Sequence, residues 1–420
     1  MEEIKQIIEL LNPWWKQEKI NEELAKSYKR KIFNEILGLV KYKQIIILSG
    51  LRRVGKTTLL YQIIENLLKK YDSNKIFYFN FDKKVKDITE ILDDYEELTG
   101  ISWKKEKFFV FLDEVTKLDE WASKIKLIYD AFPNIKFVIS SSSSVRLEEE
   151  AIKNLAGRYF LINIKPLSFR EYLELRDKNK FLENINLWKE EIKKEFQEYS
   201  LKSFPEIINW KDELLVKDYL RTTIIDKIIR EDLPDKFKNV NKDLLLILIE
   251  IFYSEPGIYI DYDSLSKKLR ISKKTLIKHI FYLEYSYLIK RIRNFRVNVI
   301  SASKKMQRIY ANWWSLGLIY SDNYDKIMEN VVCNSIDAKY YWRKNDKEID
   351  FLIVDEKKKI IPIEVKNKKE IAKNDMKNIK YFLKKYDIKE GIIIYNGKED
   401  EINFEGKIKF IPLWKWLLEN

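Results

Sequence analysis

Residues 44–60 read QIIILSGLRRVGKTTLL, an apolar run that turns through glycine into a helical segment. Gly50, Gly55, Lys56 and Thr57 match the spacing G-x-x-x-x-G-K-S/T without departure. Glycine at the two ends lets the backbone curl so that its N–H groups face an anion, and a helix starting near Lys56 adds its positive end. Ile45 to Leu48 supplies the buried strand and Thr58 to Leu68 the helix that this motif requires. Lys56 is expected to reach the β- and γ-phosphates of ATP, and the Thr57 hydroxyl to hold Mg²⁺. Arg53, Val54 and Thr58 are counted with them as nucleotide-binding residues. The alternative is a chance glycine turn, which the flanking elements argue against.

Two further apolar strands follow, Lys75 to Phe81 and Phe108 to Leu112, the second ending in Asp113-Glu114. Ligands bind at the C-terminal edge of a parallel sheet, so acids delivered there suit the second half of the same site. Asp113 is expected to hold Mg²⁺ through its water shell, and Glu114 to orient and deprotonate the attacking water. A strand over Lys136 to Ile139 ends in the serine run Ser140 to Ser144. By position Ser142 is a candidate sensor of the γ-phosphate; a flexible serine loop is the other reading. Arg158, in Leu155-Ala156-Gly157-Arg158, is a candidate finger that neutralises charge on the phosphoryl oxygens of a neighbouring subunit's site. A surface or salt-bridged arginine is its alternative. Upstream, Asn12-Pro13-Trp14-Trp15 ends a first helix. Its indoles either brace the nucleotide site or a neighbouring subunit, or pack a helical arm against the core.

Composition narrows the class. The chain has 420 residues, room for about three domains at a typical 100–200 residues each. Its formal net charge of +13 favours a polyanionic partner, although charged residues make up 35% of the chain and also serve to solvate every face. The single cysteine, Cys333, excludes an internal disulfide and suits a reducing compartment, and the single histidine, His279, argues against zinc sites and His-based triads. The start MEEIKQIIELL is acidic where a secretion signal is basic. No apolar run approaches a membrane span; Leu244 to Phe252 is interrupted by Glu250. A cytoplasmic protein without membrane contact is expected.

The ordered set NPWW, GLRRVGKTTLL, FVFLDEV, ISSSS, LAGR and Pro166-Leu167-Ser168-Phe169 resembles archaeal and bacterial AAA+ ATPases with a C-terminal restriction-endonuclease-like domain. The resemblance spans nearly the whole chain. It implies an α/β fold: a helical arm over 1–40, a P-loop AAA+ core with a parallel sheet over 41–165, and a helical lid over 166–240. Beyond these it implies a winged helix-turn-helix over 241–300 and an α/β restriction-endonuclease-like domain over 301–420. It supports Lys56, Thr57, Asp113 and Glu114 as the ATP site, and implies a homo-oligomeric ring or arc. Ser141 stands where such proteins often carry glycine. In the lid, Arg221 is a second candidate γ-phosphate sensor, against a plain helix-surface role.

Helical spacing places helices over Leu244–Tyr253, Ser264–Arg270 and, opened by a serine cap, Ser272–Tyr285, with a strand pair or wing over Leu288–Phe295. Three helices and a wing put the third helix within reach of a major groove. Lys273, Lys274 and Lys278 on that helix and Lys290, Arg291 and Arg293 in the wing suit DNA phosphate contacts, which select structure more than sequence. Lysines that merely reflect the background composition are the alternative. In the last segment Glu329, Asp350 and Glu364 are candidate Mg²⁺ ligands, with Lys366 positioning or activating water at a scissile phosphate. That set resembles the restriction-endonuclease core; a decayed nuclease fold kept for binding or assembly is the other reading. Three functions compete: a DNA-coupled ATPase, a nucleotide-dependent switch gating a protein partner, and a metal-dependent nuclease regulated by ATP.

Overall fold

The computed structural model describes residues 2–142, 151, 153–296, 301–302, 306–357 and 359–419. Ser143 and Ser144 of the serine run, and residues 297–300 beyond the expected wing, lie outside the described residues. The chain divides into two compact units, Met1–Pro166 and Leu167–Asn420.

The first unit is built on five strands, β1 (Ile45–Ser49), β2 (Ile76–Asn80), β3 (Phe108–Asp113), β4 (Ile135–Ser141) and β5 (Tyr159–Asn163). They are all parallel, in the order β2-β3-β4-β1-β5. Every residue of β1, β3 and β4 is buried, as in a parallel sheet covered on both faces. On one face Phe77, Phe79, Val110, Leu112, Phe137 and Ile139 pack with Ile91, Tyr95, Trp121 and Ile125 of the helices Ile88–Thr99 and Trp121–Ala131. Each such side chain contributes about 1.5–3 kcal/mol by leaving water. The strand expected over Lys136–Ile139 runs on through Ser140 and Ser141, so these serines are sheet residues and not loop. Ser141 is accommodated in extended backbone paired with Ser49, and its hydroxyl meets that of Thr116 at 2.8 Å.

β2 is an edge strand, and its outward backbone groups need partners. The arm provides them. The Asn12 amide donates to the Tyr78 carbonyl at 2.8 Å and accepts from its N–H at 2.7 Å, as a paired strand would. The Trp14 and Trp15 indoles both donate to the Ile76 carbonyl, at 3.1 and 2.9 Å. Packing of the arm against the core is therefore what the two tryptophans accomplish at this edge.

On the central strand β4 Lys136 is buried, and its ammonium donates to the carbonyls of Leu39, Tyr42 and Gln44 with no carboxylate among these partners. Burial pulls its pKa down to about 7. The unfolded chain thus holds an extra proton between about pH 7 and the free lysine value near 10.4, so unfolding free energy rises with pH across that window. Denaturant melts from pH 7 to 10 should show that rise, and Lys136→Met should flatten it; an unchanged slope in the variant would contradict the assignment.

The second unit opens with helices. Ser168 and Glu171 form a reciprocal capping box that starts Phe169–Leu175, followed by Lys189–Leu201 and Glu213–Leu220. The chain continues through two π-helical stretches, Arg221–Asp226 and Ile228–Asp232. Three more helices, Lys242–Ser254, Tyr262–Lys268 and Lys273–Tyr285, follow. The middle one starts two residues before the expected Ser264 because Asp261 caps it, accepting from the N–H groups of Asp263 and Ser264. The third is capped by Ser272 as expected.

Strands β6 (Ile258–Ile260), β7 (Ile289–Arg296), β8 (Ser301–Ala302), β9 (Gln307–Ala311), β10 (Tyr340–Lys344), β11 (Lys347–Val354), β12 (Ile360–Lys366), β13 (Glu390–Tyr395), β14 (Asp400–Asn403) and β15 (Lys407–Pro412) form one sheet. Its order is β14-β15-β13-β12-β11-β10-β7-β9-β6, with β8 beside β7. β7 pairs with β9 on one side and β10 on the other, so strands from before and after the expected 300/301 boundary share one sheet. None of the helices among the described residues is long and apolar enough to cross a membrane.

Candidate functional site

The first constellation forms where β1 ends. Gly50 leaves the strand at φ 146°, and a Cβ there would meet the Ile164 carbonyl oxygen at 2.2 Å. Only glycine fits so close to the exit of β5. Gly55, at φ 91°, turns the chain into the helix Lys56–Leu68. The Lys56 ammonium donates to the Gly50 and Leu51 carbonyls, both at 3.0 Å, folding back over the loop it serves. Arg53 takes the left-handed conformation at φ 66°, a strain that non-glycine residues adopt where the surroundings impose it.

β1 and β3 are not neighbours; β4 lies between them. The gap is closed by side chains. Thr57 donates its hydroxyl to Asp113 Oδ2 at 2.7 Å, which joins the two halves of the motif that lie 56 residues apart in sequence. Ser140, on the intervening β4, donates to Asp113 Oδ1, and its hydroxyl oxygen accepts from the Glu114 N–H at 3.2 Å. Tyr78 and Asn80, from β2, reach Asp113 Oδ2 at 3.0 and 3.5 Å. Asp113 is fully buried, and burial first, then the charge of Glu114, pushes its carboxyl above the usual range.

A threonine hydroxyl beside a buried carboxylate is a hard-oxygen donor pair of the kind Mg²⁺ prefers, and a divalent cation would supply the positive charge this carboxylate lacks. Bound there with a triphosphate, the cation would neutralise charge developing on the phosphoryl oxygens. Thr57 and Asp113 would hold it, Lys56 would bind the phosphates, and the loop N–H groups would orient them.

Glu114 is also strained, at φ 53° and ψ 40°. Its Oε2 accepts from the Ser142 N–H at 3.1 Å and the Ser142 hydroxyl at 2.8 Å. Ser142 is thus brought to Glu114. Arg158 is salt-bridged to Asp130 of its own chain, at 2.9 Å from Nε, which is the alternative reading of this residue. Arg30, which sequence reading did not single out, donates to the Val54 carbonyl of the loop at 3.1 Å and to the Lys165 carbonyl at 2.7 Å. No local pattern marks it, because its partners lie 24 and 135 residues away.

In the second unit the candidates separate into engaged and exposed groups. Arg221 lies exposed on a π-helical stretch. Lys273 pairs with Asp263 at 2.8 Å, Lys290 with Asp337, and Arg291 with Glu284 and the Tyr262 hydroxyl. Lys274, Lys278 and Arg293 are exposed.

Around β11 and β12 the expected acids come together only in part. Asp350 Oδ2 accepts from the Val365 N–H at 2.8 Å, and Lys366 donates to Glu364 Oε2 at 2.6 Å. Glu364 is buried and its Oε1 has no hydrogen-bond partner among the described residues. Burial, then Glu329, raises Asp350 to about 6; burial, then Asp350, raises Glu364 to about 8. Lys366, which burial alone would lower, is held above its ordinary value by Asp350 and Glu364. Glu329, however, is bonded to Arg308 and Tyr310 from β9. Arg308 also donates to the Gly257 carbonyl at 2.8 Å and pairs with Glu348 at 3.2 Å. Glu329 is thus engaged by a guanidinium and a phenol, while Asp350, Glu364 and Lys366 gather where β11 and β12 pair. Among the described residues no three acidic, histidine or cysteine side chains are grouped so as to hold a metal ion. Cys333 is buried, and burial raises its thiol to about 12, so it stays protonated.

The loop-strand geometry agrees with what the sequence is similar to. Residues 42–173 match the AAA domain. This AAA domain match covers the nucleotide loop, Asp113, Glu114, Ser142 and Arg158 together. Residues 169–316 and 324–416 match two domains of unknown function, DUF8612 and DUF4143. An uncharacterized protein of Methanocaldococcus jannaschii is 29% identical over 422 residues, covering 95% of this chain and 93% of its own. A second from the same organism is 29% identical over 416 residues, covering 90% and 85%. Among solved structures, the Aeropyrum pernix Orc1 protein in complex with DNA matches at a TM-score of 0.35 and 11% identity, over 70% of this chain and 93% of that one.

Proposed function

We propose that this chain is a DNA-acting ATPase that binds and hydrolyses magnesium-ATP and couples that cycle to DNA binding or processing. The observation that carries the reading is the 2.7 Å bond from Thr57 to Asp113, because two motif halves must share one metal ion for a P-loop site to work. Lys56 is the phosphate-binding lysine of that site and Glu114 its general base. Residues 166–240 are the helical lid of this reading. The three helices with strands β6, β7 and β9 act as a winged helix-turn-helix whose exposed Lys274, Lys278 and Arg293 contact phosphates. Homo-oligomeric assembly, with Arg158 released from Asp130 to serve a neighbouring site, belongs to the same reading.

The engagement of Glu329 by Arg308 favours a second reading for the last segment, a nuclease-like fold used for binding or assembly. A joint assay of ATP hydrolysis and strand cleavage on linear, forked and four-way DNA with Mg²⁺ tests both. DNA-stimulated hydrolysis that falls steeply with salt supports the ATPase reading. Nucleotide-dependent protein binding without DNA stimulation points to the switch instead. Cleavage that disappears in Glu364→Ala and Lys366→Ala, yet persists in Glu114→Gln, would restore the nuclease.

A further inference from the structure

The phenol of Tyr78 is 1% exposed and donates to Asp113 Oδ2 at 3.0 Å. Nothing in the sequence pattern demands a hydroxyl here, since Phe77 and Phe79 on either side are plain core residues. A buried hydroxyl is costly unless paired, and an ionised carboxylate only accepts, so the proton of this bond belongs to tyrosine. Asp113 is then fixed at both oxygens, by Ser140 at Oδ1 and by Thr57 and Tyr78 at Oδ2.

The tyrosine is itself fixed by residues the proposed function leaves unused. Asn12 pairs with both backbone groups of Tyr78, and the Tyr78 ring packs on Tyr61 at 4.8 Å, which meets Trp14 edge-on at 6.3 Å. Because β2 has a single strand neighbour, removing Asn12 leaves the backbone at Tyr78 held from one side only.

We propose that Tyr78 is a positioning residue that orients the Asp113 carboxylate for a divalent cation, and that the Asn12–Trp15 arm holds Tyr78 in place for that task. The inference rests on Asp113 being the metal-binding carboxylate of the proposed function. Groups that orient a metal ligand typically carry about 10–100-fold in metal affinity.

The test is Mn²⁺ binding to the full-length protein with ADP, followed by electron paramagnetic resonance, for wild type, Tyr78→Phe, Asn12→Ala and Asp113→Asn. Phenylalanine keeps the ring and its packing on Tyr61. Tyr78→Phe is expected to weaken Mn²⁺ by about 10–100-fold while the affinity for metal-free ADP holds. Asn12→Ala should shift it the same way by less, and in both variants added Mg²⁺ should restore turnover. Wild-type Mn²⁺ affinity in Tyr78→Phe overturns the proposal, as does a parallel loss of metal-free ADP binding, which marks a merely structural role. Failure of Asp113→Asn to weaken Mn²⁺ overturns the assignment of Asp113 beneath it, and the proposal with it.

Discussion

Lys56→Ala is expected to remove nucleotide binding and to lower any residual hydrolysis by about 100- to 1,000-fold, the usual cost of deleting one donor aimed at developing negative charge. The reason lies in the geometry of the loop. Lys56 is the ammonium at the N-terminus of the helix that follows the phosphate loop, and its present acceptors, the Gly50 and Leu51 carbonyls, belong to that same loop. A triphosphate seated on the loop N–H groups offers the ammonium a better partner than two neutral carbonyls, since charge-assisted bonds are roughly twice as strong. Isothermal titration with ATP and a steady-state hydrolysis assay measure the two losses. Circular dichroism separates them from unfolding, because alanine also leaves two loop carbonyls without their donor. Unchanged ATP affinity in a folded Lys56→Ala protein would exclude this loop as the phosphate site.

Glu114→Gln should behave differently: ATP still binds, but turnover falls by about 100- to 10,000-fold, the range supplied by a positioned general base. Glu114 sits at the tip of β3, and its backbone bends at once into a left-handed turn that aims the side chain toward Ser142. Glutamine keeps the length and still accepts the two Ser142 bonds through its carbonyl oxygen, so the local structure should persist. What it loses is the capacity to take a proton from water. Rapid desalting after incubation with Mg²⁺ and ATP should leave intact ATP on the variant and ADP on the wild type. Equal hydrolysis by both would remove Glu114 from the chemistry and leave the general base to be sought elsewhere.

Much of the first unit was legible because its signals are local. A buried parallel strand is a continuous apolar run, so Ile45–Leu48 and Phe108–Leu112 announce themselves, and a phosphate loop is a fixed spacing within a few residues. The Ser272 cap was equally readable, since a cap and its helix are adjacent in the chain. Ser140 and Ser141 show the limit. Serine composition also suits a loop, yet Ser140 and Ser141 continue β4 because β1 supplies their strand partners, and Ser140 is drawn to the buried carboxylate of Asp113. The partners of Glu329 were hidden for a similar reason. Arg308, which bonds it, lies 21 residues away on β9, and a buried carboxylate needs such a partner.

Sequence alone determined that a nucleotide-type loop exists, which strand carries its acids, and that the chain is basic with two chemically distinct ends. Tertiary structure decided which groups meet: that Thr57 and Asp113 touch across an intervening strand, that Tyr78 and Asn12 stand behind them, and that Arg158, Lys290 and Arg291 are held in ion pairs. The physical reason is one of range. Turn, cap and strand preferences act over a few residues, whereas pairing a buried charge depends on whichever distant segment packing brings within about 3 Å.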